Sequence, residues 1–252
     1  MTISNYGRIA VAASFAAVLA LPAVAIAQEA EEDTGPNFIM VRSVTVNAGD
    51  DAEWVALQEQ LVAAQKEAGN GHRTVYEQVR GSLETYHIVS THDDRGGFDE
   101  QGNGLGGLGE AAADWGAAIS KTISSRSLRE ARIHKNLTIS RDEESERNLI
   151  VVRRVTLKQG QADEYHAWLA DELRPALIAG GATGVTFTHT AHGGDQSICT
   201  IGSQVANWAE FDGDGPLSQM SDGERDGLFA NWDDMVESHE VIVGSYRADL
   251  SY

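Results

Sequence analysis

The chain has 252 residues and a formal charge of −19, from 38 acidic against 19 basic side chains. A surface this acidic repels the phosphates of nucleic acid and of anionic lipid headgroups, so neither is expected as a partner. Cys199 is the single cysteine, which rules out an intramolecular disulfide. It lies in the apolar run Ser197-Ile198-Cys199-Thr200-Ile201, with no activating group nearby in sequence, and reads as a buried structural thiol.

In chain order, residues 1–27 come first and read as a signal peptide. One basic side chain, Arg8, precedes an apolar stretch from Ile9 to Ile26, and Ala25-Ile26-Ala27 ends in small residues where a signal peptidase cuts, before Gln28. The rival reading, an uncleaved anchor, suffers from a run near the lower limit of a bilayer span, from Pro22, and from the lack of a basic flank after it. The expected location is therefore periplasmic or secreted. Residues 28–36 form a short acidic tether, and no later segment is apolar enough to span a membrane.

The remainder is a duplication. Residues 37–49 (NFIMVRSVTVNAG) overlay residues 148–160 (NLIVVRRVTLKQG), each a β-branched run ending at a turn glycine. Amphipathic helices follow at 51–68 and 162–179. Trp54, Leu57, Leu61 and Ala64 recur at helical spacing in the first, and Tyr165, Trp168, Leu169 and Leu173 in the second. Gly69 and Gly180 stand where C-caps belong. Second strands are predicted at 74–80 and 185–191 and third strands at 85–91 and 197–203. Glycine-rich loops at 93–109 and 213–223 read either as lids or as ordinary long connections. A second helix, holding Trp115 or Trp232, and a last strand, at 129–139 or 240–252, complete each unit. The units are thus 37–139 and 148–252, joined by a charged linker.

The order βαββαβ, twice, predicts an α+β fold: each unit a four-stranded antiparallel sheet with both helices on one face. Phe38-Ile39-Met40-Val41 is apolar on both sides, so the bare sheet face must also be covered. Two sheets packed face to face within one chain would do this.

These strand–turn–helix segments, apolar-Val-Arg-x-Val-Thr-x-x-x-Gly and then a helix, resemble the dimeric α/β-barrel superfamily. So does the third strand running into His92-Asp93-Asp94-Arg95-Gly96-Gly97-Phe98 or into residues 204–211. The chain is similar to its antibiotic-biosynthesis-monooxygenase-like and NIPSNAP-like members, and covers nearly all of the mature part. The resemblance implies two ferredoxin-like βαββαβ units packed sheet-to-sheet as an intrachain dimeric α/β barrel. It does not imply an activity, because that superfamily includes oxygenases, isomerases and haem enzymes. Its haem-degrading members would require an Asn, a Trp and a His around one pocket. No such trio is placed by matching positions, so no cofactor is expected, with haem left open.

Arg42 and Arg153 occupy the same mid-strand place in both copies. They are candidates to hold an anionic or carbonyl-bearing ligand by bidentate hydrogen bonds, the alternative being structural pairing or snorkelling at a barrel end. His87 and His189 are the candidate acid/base residues. Spacing puts His87 opposite Cys199 and Gln78 opposite His189, which is where the copies diverge. His189 and His192, three apart, would face opposite ways on a regular strand. No metal is expected: there is no His-Glu-x-x-His or Cys-pair signature, and Asp212-Gly213-Asp214-Gly215-Pro216 departs from a calcium loop at its sixth and twelfth positions. Trp54, Tyr165, Trp115 and Trp232 are expected core anchors. Two readings follow. One is an exported monomer or homodimer binding a small organic molecule in a barrel cavity. The other is a cofactor-independent monooxygenase or isomerase-like enzyme using a cavity histidine and arginine.

Overall fold

A computed structural model describes residues 35–69, 72–80, 84–97, 105–141, 148–211 and 215–252. The leader, nearly all of the tether, and parts of the linker and of both glycine-rich loops lie outside the described residues. The first unit contains β1 (Phe38–Val46), α1 (Asp51–Glu67), β2 (Thr74–Arg80), β3 (Thr85–His92), α2 (Ala112–Thr122) and β4 (Ile123–Ile133). The second contains β5 (Leu149–Leu157), α3 (Ala162–Trp168), a π-helical turn (Leu169–Leu173) leading into α4 (Arg174–Ala179), and then β6 (Val185–His192) and β7 (Ile198–Val205). It closes with α5 (Asp222–Leu228), α6 (Trp232–Met235) and β8 (Val236–Tyr246).

All eight strands form one closed barrel in the order β1-β3-β2-β8-β5-β7-β6-β4. The two sheets therefore do more than face each other: their edges are hydrogen-bonded. The seams pair β2 with β8 (Tyr76 opposite Tyr246, Gln78 opposite Gly244) and β4 with β6 (Ala131 opposite Thr190, Ile133 opposite Thr188). Each seam carries a register shift at the corresponding place, at Gln78/Arg80 and at Glu130/Ala131, as bulges do where a sheet must curve. Gly244 is required here, because a Cβ would come within 3.0 Å of the Tyr76 Cβ.

The helices cover the outer face. Val44 and Val46 of β1 pack with Trp54 of α1, Val75, Tyr86 and Ile119 in one core. Val155 and Leu157 of β5 pack with Tyr165, Trp168, Phe187, Cys199 and Met235 in the other. Trp54 and Tyr165 are completely buried, and Trp115 and Trp232 pack against the two cores.

Both last strands end six residues earlier than the sequence pattern suggests, and they begin six and four residues earlier, because the apolar positions after them belong to tails that cross over. Beyond β4, Ile139 bridges Val185 and Leu137 is buried in the core of the second unit. Beyond β8, Tyr252 exchanges backbone hydrogen bonds with Arg73 at 2.9 and 3.0 Å, and Leu250 is buried in the core of the first. Each unit thus lends a leucine to the other.

One irregularity separates the copies. Gly69 and Gly181, both at positive φ, end the first helix of each unit. They are one residue further apart in sequence than Arg42 and Arg153. The extra residue is taken up inside the helix as the π turn, just before Pro175, which has no N–H to give to a regular helix.

Leu137→Ala and Leu250→Ala are each expected to lower stability by about 2–5 kcal/mol, the usual cost of emptying a buried leucine site. The partly exposed Ile178→Ala should lower it by less than about 1 kcal/mol. Urea unfolding midpoints check this, and equally small losses at all three positions would contradict the exchange of tails.

Candidate functional site

Residues directly opposite one another in an antiparallel pair point to the same side of the sheet. Since Val44, Val46 and Val155 face the helices, Ser43, Thr45 and Arg154 face the barrel interior. The registers carry this assignment round the barrel: Ser43 lies opposite His87 and Ser127, and Arg154 opposite Thr200 and Glu240. The interior wall is polar at its middle.

His87 is its centre in the first unit. Nδ1 lies 2.9 Å from Ser43 Oγ, Nε2 lies 3.1 Å from Gln78 Oε1, and Gln78 Nε2 donates to the Arg80 carbonyl at 2.9 Å. That last bond leaves the Gln78 oxygen free to accept, so His87 carries its proton on Nε2 and takes the Ser43 hydroxyl proton at Nδ1. In the second unit Arg154 Nη1 donates to Glu240 Oε1 at 2.5 Å, and Arg129 Nη1, from β4, donates to Thr200 Oγ1 at 3.0 Å. Burial, then the charges of Arg129 and Arg154, push His87 down to about 4, with Glu240 acting the other way. Burial and Arg154 likewise bring Arg129 to about 10, with Glu240 again acting the other way, so it is still protonated at neutral pH. Arg154 Nε and Thr190 Oγ1 are buried without a hydrogen-bond partner. Glu240 and Arg154 have side chains 55 % and 34 % exposed, so this stretch of the inner wall is reached by water.

A second cluster lies on the outer face of the second unit. His189 Nδ1 is 2.9 Å from His134 Nε2, and the His134 ring lies 4.6 Å from that of His166 and 4.8 Å from that of His189. All three are held low, principally by burial, His134 at about 4 with His166 and His189 adding to the effect. Their nitrogens do not converge. Among the described residues no group of three or more His, Cys, Asp or Glu is placed to hold a metal ion. His87 has both nitrogens engaged, and His166 Nε2, unpartnered, is buried beside the His134 and Tyr165 rings with no open face in front of it.

The structure thus separates the sequence candidates. His87 faces the interior; His189 faces outward, toward α3. Arg42 and Arg153 share the side of Val44 and Val155 and are exposed, although burial of their inner portions lowers both pKa values. The interior guanidiniums are Arg154, the next residue along, and Arg129. His87 corresponds by register to Thr200 and Gln78 to Thr190, one residue away from the matching that spacing suggests, and His189 corresponds to Glu77. The shift of register at Glu130/Ala131 brings His192 back to the outer face, beside Glu130 at 3.3 Å. Cys199 is buried on the helix side, its thiol raised to about 11 by burial. Arg129, Arg154 and Glu240 escaped the sequence reading; the visible signal was Arg154, which breaks the repeat where the first copy has Ser43.

No family model and no curated protein sequence matches the chain. Solved structures do. A candidate monooxygenase from Fusobacterium nucleatum subsp. nucleatum superposes with a TM-score of 0.61 at 13 % identity, over 84 % of this chain and 93 % of that one. Another from Lactobacillus acidophilus gives 0.58 at 12 %, over 84 % and 94 %. The fold is the dimeric α/β barrel. A cyanide complex of a chlorite dismutase variant from Candidatus Nitrospira defluvii shares it at a TM-score of 0.53 and 10 % identity, over 85 % and 92 %. At such identities the dimeric α/β barrel is what is shared; the chemistry of these proteins is not carried over with it.

Because His87 is depressed below the ordinary histidine value, the folded barrel binds fewer protons than the unfolded chain. Its contribution is intact above pH ~6.5 and is lost as pH falls toward 4. The loss from His87 is expected to reach at most about 3 kcal/mol. Unfolding free energies measured from pH 7 to 4 should therefore fall less steeply in His87→Gln, which keeps an amide in place of the ring. An unchanged slope would count against the assignment.

Proposed function

We propose that this chain is an exported protein whose barrel interior binds a small organic molecule. What supports the reading is the polar inner wall. An eight-stranded barrel has room either for its own side chains or for one small ligand. Here His87, Arg129, Arg154 and Glu240 stand where hydrocarbon would otherwise fill the space, and Arg154 Nε and Thr190 Oγ1 have no hydrogen-bond partner among the described residues. Export rests on the leader alone. Among the described residues no helix is long and apolar enough to cross a membrane.

The enzymatic alternative keeps one supporting observation: a histidine and two arginines share the same interior. Its weakness is the setting of that histidine. A general base works best with a pKa near the operating pH, and burial, with the charges of Arg129 and Arg154 adding to it, holds His87 at about 4. Both of its nitrogens are also engaged. Binding without turnover is the better account.

Native mass spectrometry of the protein isolated from its own cell envelope or medium should show a complex heavier than the bare chain by one small molecule, together with a mature N-terminus at Gln28. Bare protein at the sequence mass would remove the binding reading, and a start at Met1 or Thr2 would remove export. A haem-sized increment with visible absorbance would replace the cofactor-free account.

A further inference from the structure

The inner wall has a sign. Inward-facing positions of the described strands carry two guanidiniums, Arg129 and Arg154, and one carboxylate, Glu240. Glu240 is engaged by Arg154. Arg129 has five N–H donors and, among the described residues, a single partner, the neutral Thr200 hydroxyl. Glu240 favours the Arg129 charge as well, but that single carboxylate is already bonded to Arg154, so the wall keeps one net positive charge, and a largely desolvated net charge is expensive to keep. It is kept inside a protein whose overall charge is −19, so it is no extension of a basic surface.

We infer that the molecule taken by this barrel is an organic monoanion, a small monocarboxylate, held by Arg129 with Arg154 and His87 completing the wall. The inference rests on the binding role given to the interior above, and it names the chemical class. A carboxylate supplies the two acceptor oxygens that a guanidinium's planar fork fits. It brings the negative charge that balances the wall, and it offers acceptors to Arg154 Nε, which has no hydrogen-bond partner among the described residues. Ser127 and Glu240, on this same wall, are exposed, which gives the ion a way in from water. A doubly charged ligand fits less well, because Glu240 already takes up one of the two positive charges. The local field, in turn, lets a neutral His87 remain while the site is empty. An anion beside it would favour the imidazolium and raise its pKa.

The test is calorimetric titration of the mature protein with a panel of straight-chain and aromatic monocarboxylates from acetate to dodecanoate and benzoate, each paired with its primary amide. At least one acid should bind with 1:1 stoichiometry, at least tenfold tighter than its amide. Its binding should weaken at least tenfold in Arg129→Met, and NMR titration should show the His87 pKa rising on binding. Arg129→Met should also raise the melting temperature of the empty protein, since it removes the net charge of the wall. An acid and its amide binding equally well would overturn the anion inference and leave the binding role standing. Affinity unchanged in Arg129→Met, or a melting temperature lowered by it, would overturn the role of Arg129. Failure of every acid and every amide to bind would overturn both readings together.

Discussion

A four-stranded sheet has two edges, and each edge is a row of backbone N–H and C=O groups that need partners. In this chain there are two such sheets and four such edges, and the barrel joins each of them to another over part of its length: β2 on β8 through 76–80 and 243–246, and β4 on β6 through 130–133 and 188–192. Much of the rest is subordinate to that closure. The bulged registers at the two seams bend the strands enough to meet. Gly244 removes the side chain that Tyr76 would strike. The tails after β4 and β8 continue across the seams they have just made, so that Leu137 and Leu250 end in the opposite unit's core. An isolated unit would therefore lack both its edge partners and one core leucine.

Closure also fixes what the copies can afford to change. Positions on the helix face are held by packing: Trp54 corresponds to Tyr165 and Val46 to Leu157, apolar or aromatic for the same. Positions facing inward are freer. Ser43, His87 and Ser127 in one unit correspond to Arg154, Thr200 and Glu240 in the other, a neutral hydrogen-bonded set against an ion pair with its hydroxyl neighbour. The tails diverge in the same spirit. In the first unit the crossing tail is tied down by Arg247 donating to Glu77 at 2.8 Å; in the second, the equivalent positions are His134 and His189, joined at 2.9 Å. The neighbouring π turn is where that unit also absorbed its extra helical residue.

How much of this the sequence carried depended on which face a residue serves. The helix-facing pattern was legible, because Trp54 and Tyr165 and the paired first strands repeat it with little change. The interior was not. A polar residue is normally assigned to solvent, yet in β1 it is Ser43 and Thr45 that turn inward while Val44 and Val46 lie under α1. Arg42 shares their parity and so faces outward, a deduction available from the alternation Arg42, Val44, Val46 once the helix side is known. His87 faces inward and His189 outward: the π turn displaces β6 by one residue against the repeat, which puts Thr190 and not His189 in the place of Gln78, and such a shift leaves no mark on hydrophobic spacing. The tails were read as strand for a related reason: Leu137 and Leu250 are buried, but in a core other than that of their own unit.

The odd charge of the interior follows from the fusion itself. In a symmetric dimer of identical units every inward charge occurs twice, and the net interior charge must be even. Two copies of Arg154 would bring two of Glu240 and cancel; two copies of Arg129 would leave a double positive charge suited to a different ligand or to none. Joining the units in one chain lifts that restriction. Arg129 has its counterpart in the apolar Ile242, and Arg154 in Ser43, so each guanidinium occurs once. Glu240 is bonded to Arg154 and favours the Arg129 charge too, and between them the three leave one net positive charge. A barrel interior carrying a single uncompensated positive charge is an arrangement that twofold symmetry forbids, and covalent duplication followed by divergence is what makes it available to this fold.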